Sequence, residues 1–316
     1  MHSNLTVLFL GLPRELDRFY RSIDELNKLN IVSKIIYSTW NGRLSDGLHK
    51  KLLAKGVTVL LNDEPSDIGK NSIIAQNKSL EFGLELCNEN DIVLRTRTDV
   101  YISNQLLKDV LIKYENSNVK NSKVFDKKIW IPTFEITKPF YMDDAIFLGK
   151  CKDLKYLTKF DMSWNLAMDG GGDTHVRKFI HPFIKIYPQL LSYKDKLIDG
   201  GPNSLYIAPN SKERFKLLRE RLNESDYLDY LTIYYYVLNK YFLIYCDESG
   251  YIQKQPYCKR STKFNLNEFS SNFKSPTGPF NGIWCHDSKW ISNLINGEFN
   301  DELANKILKR VENINE

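Results

Sequence analysis

Asp91-Ile92-Val93-Leu94-Arg95-Thr96-Arg97-Thr98-Asp99-Val100-Tyr101-Ile102 is the stretch that decides the fold of this chain. Its first half is an apolar strand signal and its second half carries charge. Side chains alternate along a strand, so Arg95, Arg97 and Asp99 share one face, with Leu94, Thr96 and Thr98 on the other. Three charged groups at a strand end are costly to bury unless they pair or bind something charged. One reading is an internal Arg–Asp ion pair that stiffens the strand. The other is a site in which arginine forks hold phosphate or carboxylate while the aspartate takes a metal or a ribose. The place of this strand in the chain favours the site.

That place is read from what precedes it. Leu5–Leu10 is a short apolar run closed by the loop signal Gly11-Leu12-Pro13. Arg14–Leu29 shows helical spacing through Leu16, Phe19, Ile23 and Leu26. Val32–Ser38 is a β-branched strand, Leu48–Lys55 a short helix and Val57–Leu61 a third strand. Ser72 is expected to cap a helix whose apolar positions Ile73, Leu80, Leu84 and Cys87 share one face. Asp91–Ile102 is then the fourth strand of a β-α-β-α-β-α-β series. Such alternation predicts an α/β fold, a Rossmann-like, mostly parallel sheet flanked by helices. Ligands in these sheets bind beyond the carboxyl ends of the strands. Gly11-Leu12-Pro13 with Arg14, Thr39–Gly42 with Trp40, and Arg97–Asp99 should all lie at that edge.

Downstream the pattern loosens. Lys128–Pro132 and Ala145–Leu148 read as strands around the loop Thr133–Asp144. Lys152–Phe160, Thr174–Phe183, Lys212–Leu222, Tyr227–Lys240 and Asp301–Val311 read as helices, and Phe242–Cys246 as a strand. Gly170–Gly172 and Gly200–Pro202 mark loops. The expected organisation is a nucleotide-sugar-binding α/β core over 1–150, with a helical, acceptor-side part over 151–316 packed on it.

Composition narrows the classes. The hydrophobic share of 42% and charged share of 26% are those of an ordinary globular protein. The net charge of +5 suits an anionic ligand such as a nucleotide diphosphate, and no dense basic stripe points to nucleic acid. Its 18 Tyr and 17 Phe can line a sugar or base site, but they more commonly reflect an aromatic core. The cysteines Cys87, Cys151, Cys246, Cys258 and Cys285 have no paired spacing, so buried free thiols are expected. There is no signal-peptide pattern, and no run of about 18 apolar residues predicts a membrane span. The expected location is cytoplasmic, with peripheral contact at the inner membrane left open. The turn after Leu10 lacks a G-x-G-x-x-G pattern, which argues against a Rossmann dehydrogenase, and no P-loop motif occurs.

The order of several segments adds a resemblance. Ser-Thr-Trp (38–40), Ser-Ile-Ile-Ala-Gln-Asn-Lys-Ser-Leu-Glu-Phe-Gly-Leu-Glu (72–85) and Val-Leu-Arg-Thr-Arg-Thr-Asp-Val (93–100) are followed by Trp-Ile-Pro-Thr-Phe (130–134) and Phe-Tyr-Met-Asp-Asp-Ala-Ile-Phe-Leu-Gly-Lys (140–150). From about residue 5 to residue 190 this order resembles the WavE-type family of lipopolysaccharide-synthesis proteins, which look like glycosyltransferases of the GT-A fold. The resemblance implies transfer of a hexose-like sugar, with inversion, from a nucleotide sugar to a growing bacterial lipopolysaccharide or capsule glycan. A UDP-sugar is the first donor it suggests, the acceptor being a glycan or lipid-linked glycan. It also puts Asp99 where GT-A enzymes carry the last Asp of an Asp-x-Asp metal motif. Arg97 stands where the first Asp would be. Either Asp99 alone binds Mg²⁺ or Mn²⁺ with substrate phosphates completing the shell, or the arginines replace the metal as counter-charge to the leaving diphosphate. The retained metal is the narrower preference.

Further candidates follow. Gln76 and Asn77 are possible nucleotide contacts, with helix capping or solvent exposure as the plain alternative. Gly83 would let its helix approach the sheet closely. Asp143 and Asp144 open a strand, where neighbouring carboxylates can supply a base for an acceptor hydroxyl, Asp144 being preferred. A solvated turn is their alternative. Glu224, Asp226 and Asp229 compete for the base but open a helix, which favours acids for dipole reasons alone. His286, between two Trp residues, is a candidate metal ligand or a structural residue. His175 and His181 are poorly spaced for a shared metal. Transfer of a phosphorylated group onto glycan, or a non-catalytic glycan-binding or scaffold role, would fit the same features.

Overall fold

The computed structural model describes residues 4–68, 72–136, 139–159, 178–193, 224–246, 251–253, 284–285, 288–298 and 302–314. The expected helix over 212–222, the glycine loops at 170–172 and 200–202, and Cys258, His175 and His286 lie outside them. The chain divides into two compact units. The first is Met1–Pro132, Asp143–Lys159 and Cys246–Pro256; the second is Thr133–Met142, Phe160–Tyr245 and Tyr257–Glu316.

In chain order the elements are β1 (Leu5–Leu10), α1 (Leu16–Leu26), β2 (Val32–Trp40), α2 (Asp46–Ala54), β3 (Val57–Asn62), α3 (Ile73–Glu85), β4 (Ile92–Arg97) and β5 (Val100–Ile102). Then come α4 (Asn104–Glu115), β6 (Ile129–Ile131), β7 (Phe134–Glu135), β8 (Phe147–Lys150), α5 (Cys151–Thr158) and α6 (Gln189–Tyr193). The last are α7 (Glu224–Tyr241), β9 (Phe242–Ile244), β10 (Tyr251–Gln253), β11 (Trp284–Cys285), α8 (Ser288–Ile295) and α9 (Glu302–Val311).

In the first unit, β1 is buried along its whole length, as a strand covered on both faces must be. It pairs in parallel with β2 on one side and β4 on the other, and β3 extends the parallel set beyond β2. β8 then runs antiparallel beside β4, and β6 antiparallel beside β8, giving the order β3-β2-β1-β4-β8-β6. The expected class is the observed one: a mostly parallel, mixed sheet flanked by helices. Adjacent residues of β1 show both faces covered. The Phe9 ring meets Phe19 of α1, while Leu8 lies under Gly83 of α3.

Gly83 has a specific reason to be glycine. A Cβ there would stand 2.5 Å from Leu8 Cδ1 and 2.7 Å from Cδ2, inside a core where Leu8 is fully buried. Gly83→Ala should gain about 1 kcal/mol of helix propensity but lose about 1–3 kcal/mol to overpacking. Overpacking wins because the residue met, Leu8, is fully buried in a central strand of the sheet. Urea unfolding should show a net loss for Gly83→Ala and a larger one for Gly83→Val; an unchanged midpoint for the valine variant would disprove the close approach.

Several sequence readings change. Ser72 does not cap α3: its backbone is left-handed, with φ 59°, and its side chain makes no capping bond. Ser45 and Ser103 do cap, accepting from Leu48 N and Leu106 N at 3.3 and 3.2 Å. Ser103 starts α4, a helix the sequence reading missed although Leu106, Leu107, Val110, Leu111 and Tyr114 are buried at helical spacing. Leu16 lies in the first turn of α1 and is 41% exposed, whereas Phe19, Ile23 and Leu26 are core as expected. Asp91–Ile102 is not one strand. β4 ends at Arg97, Thr98–Asp99 turns, and β5 leaves to pair with β10. Cys87, Cys151 and Cys285 are buried free thiols, but Cys246 is only partly buried.

In the second unit β7 pairs with β11, and α7 packs against α8 and α9. The tyrosines of α7 are core except Tyr236, which is half-buried. Tyr234 and Tyr235 donate their hydroxyls to the carbonyls of Glu135 and Ile136 at 2.9 and 2.5 Å. Each ring thus supplies apolar area while its polar tip is satisfied. Asp229 on α7, a rival for the base, is paired with Arg310 at 2.8 Å. No helix among the described residues is long and apolar enough to cross a membrane.

Candidate functional site

The sheet reverses direction of winding between β1 and β4, since β2 and β3 lie to one side of β1 and β4 to the other. The carboxyl ends of strands flanking such a point are the usual ligand position in these sheets. Gly11 ends β1 at φ +88°, a left-handed conformation that favours glycine. Tyr37 donates to the Gly11 carbonyl at 2.9 Å. Burial pushes that phenol up to about 12, so it remains a neutral donor.

Thr98 ties the two loops together. Its hydroxyl accepts from Arg14 N and donates to Leu12 O, both at 3.0 Å, and the residue is 1% exposed. Asp99 follows on the other side of the turn. Arg97 Nε and Nη2 donate to its two carboxylate oxygens at 2.8 and 2.5 Å, a fork-to-fork pair. Arg18 Nη1 donates to the Asp99 carbonyl at 2.9 Å. Burial opposes the charge on Asp99, but the Arg97 bonds and the Arg97 and Arg14 charges outweigh it and hold the carboxyl below its usual range. Arg97 is likewise opposed by burial and raised on balance by Asp99, then by Asp144 and Asp143.

The antiparallel direction of β8 explains why Asp143 and Asp144 are there. Phe147 lies opposite Arg95, so the residues before Phe147 run past the carboxyl end of β4. Asp143 Oδ1 accepts from Ala145 N at 2.9 Å, closing a small turn. Arg95 Nη1 donates to the Asp144 carbonyl, Nη2 reaches Gln76 Oε1 at 3.4 Å, and the guanidinium lies 5.2 Å from the centre of the Phe147 ring.

The structure therefore brings Gly11, Arg14, Gln76, Arg95, Arg97, Asp99, Asp143 and Asp144 to one edge, with three corrections. Arg95, expected to hold phosphate, is fully buried and instead braces the segment that carries the two aspartates. Asn77, expected as a nucleotide contact, is 1% exposed and donates to Thr158 O at 2.8 Å, joining α3 to the end of α5. Trp40 is 2% exposed at the end of β2, a core residue. Arg18 was missed. Arg14, Arg18 and Arg21 recur at helical spacing, which was the available signal.

A metal ion held by Asp99 does not fit these residues. Both carboxylate oxygens accept from the Arg97 guanidinium, so a dication would have to displace a bidentate, charge-assisted pair to reach them. Among the described residues no group of three His, Cys, Asp or Glu side chains could hold a metal ion. His286, the other expected ligand, lies outside them.

No family model and no curated protein matches the chain. Solved structures with a similar fold exist at low identity. A 4-diphosphocytidyl-2C-methyl-D-erythritol synthase is 11% identical, over 50% of this chain and 79% of its own, with a TM-score of 0.34. Glucosyl-3-phosphoglycerate synthase from Mycobacterium tuberculosis, solved with Mn²⁺ and UDP, is 13% identical over 49% and 59%, with a TM-score of 0.34. The mannosyltransferase PcManGT from Pyrobaculum calidifontis, solved with GDP-Man and Mn²⁺, is 11% identical over 56% and 51%, with a TM-score of 0.38. Likenesses this distant say nothing of substrate.

Proposed function

We propose that the chain is a glycosyltransferase that moves a sugar, with inversion, from a nucleotide sugar to a growing bacterial surface glycan. One observation carries this: Arg14, Arg18 and Arg97 surround the Thr98–Asp99 turn at the carboxyl ends of β1 and β4, with Asp143 and Asp144 beside them. Arg14 is exposed, and its guanidinium makes no hydrogen bond with a described residue. It and Arg97 face a diphosphate from the turn. Gln76 on α3 is a further donor contact.

The chemistry follows from those charges. Asp144 takes the proton of an acceptor hydroxyl, the oxygen attacks the anomeric carbon, and the bond to the diphosphate breaks. The electron pair leaves with the nucleoside diphosphate, whose growing negative charge the guanidiniums stabilise. Fixed charges aimed at the leaving group are the strongest available catalytic device in a site of this kind. Acceptor recognition by the C-terminal part, the WavE-type kinship, the lipopolysaccharide or capsule acceptor and a UDP-sugar donor belong to the same proposal.

The test is a thermal-shift screen with UDP-, GDP-, CMP- and dTDP-sugars. A ligand at 100 times its Kd adds about 2.7 kcal/mol, which should raise the melting temperature by several degrees for at least one of them. A flat response to all four would sink the reading and favour a scaffold.

A further inference from the structure

We infer that donor binding in this chain needs no divalent cation, because Arg97 supplies the counter-charge and Asp99 acts as its positioning residue. The inference rests on the nucleotide-sugar reading above and specifies how that site holds a diphosphate. Asp99 is 1% exposed, and both its oxygens are engaged by one guanidinium in a planar fork. The Arg97 side chain keeps 20% of its surface, so it is fixed on one side and open on the other. A bidentate pair orients the guanidinium plane as a single hydrogen bond would not. Arg18 pins the same turn from α1 through the Asp99 carbonyl, and Arg14 adds a second positive charge that Asp99 senses. The carboxylate that would serve a metal is thus already held by both arms of an arginine. A diphosphate is drawn to that arrangement and a free dication is not.

Calorimetric titration of the full chain with UDP, GDP, CDP and dTDP, in EDTA and in manganese chloride, decides the matter. The expected result is a Kd in EDTA within about twofold of that in manganese for whichever diphosphate binds. Tightening by about tenfold or more with manganese would overturn the inference and leave the function standing. Absence of binding in both buffers would instead overturn the function, and the inference with it. The positioning role is read from Asp99→Asn, titrated with the binding diphosphate and its parent nucleoside. Diphosphate affinity should fall by about tenfold while nucleoside affinity is unchanged, because only the phosphate partner is disturbed. Equal loss of both would mark Asp99 as merely structural. If Asp99→Asn does not fold, the metal comparison on the unaltered chain still decides.

Discussion

Arg97→Met should cost the protein about 3 kcal/mol at neutral pH and abolish diphosphate binding. The stability loss comes from what remains, not from what is removed. Asp99 stays buried, at 1% exposed, and loses both charge-assisted hydrogen bonds. Stranding one partner of a buried ion pair typically costs about 3–5 kcal/mol, and the partial exposure of Arg97 argues for the lower end. The variant should therefore melt roughly 5–10 °C below the unaltered chain. Its pH dependence separates this cause from simple loss of packing. In the unaltered chain the Asp99 carboxyl is held low. Its stabilisation is present above the unfolded pKa of about 3.9 and disappears as pH falls through the lower folded value. In the variant the Arg97 contributions are gone and burial, the largest influence, is opposed only by the Arg14 charge and a backbone hydrogen bond, so the carboxyl rises and acid stabilises the folded form by neutralising it. The gap in melting temperature should be widest near neutrality and close towards pH 4. A gap constant from pH 8 to pH 4 would disprove the stranded-carboxylate account. Arg97→Met/Asp99→Leu, which removes both charges, should regain stability without regaining diphosphate binding.

What the sequence revealed and what it hid follow one division. Periodicity found the parallel strands and the apolar faces of α1 and α3, because a strand buried on both faces or a helix on a sheet must repeat its apolar residues. It also put Arg97 and Asp99 together, and they do pair, but across the Thr98–Asp99 turn that ends the strand and not along one strand face. What it hid depends on chain direction and on backbone geometry. The reversed direction of β8 brings Asp143 and Asp144 to the carboxyl end of β4, and no local pattern encodes that reversal. Asn77 and Gln76 are neighbours on α3, yet one is locked to Thr158 and the other reaches Arg95. Only the packing of α5 distinguishes them. Arg95 looked like a ligand contact because its residue type suits phosphate. Its register opposite Leu8 and Phe147 buries it in the sheet.

The same register makes Asp144, not Asp143, the group whose loss should be felt most in turnover. Asp143 Oδ1 already accepts from Ala145 N at 2.9 Å, a task that an amide oxygen performs equally well. Asp143→Asn should therefore preserve the turn and change turnover only slightly. Asp144 is held through its backbone by the Arg95 guanidinium, so replacing its carboxylate by an amide leaves that brace in place. Asp144→Asn removes the base while keeping that backbone brace. A positioned general base contributes about 10²–10⁴-fold, and that is the expected drop in turnover with a sugar donor identified by the thermal-shift screen. Nucleotide affinity should stay the same, because Arg14 and Arg97 are untouched. A fall in turnover and affinity together would show that Asp144 holds the donor. Equal loss in the Asp143 variant would divide the proton transfer between the two carboxylates. Stereochemistry supplies the last constraint: a single base acting on the acceptor requires inversion at the anomeric carbon, so an α-linked donor should yield a β-linked product. A retained configuration would remove Asp144 from that role whatever the kinetics of its variant.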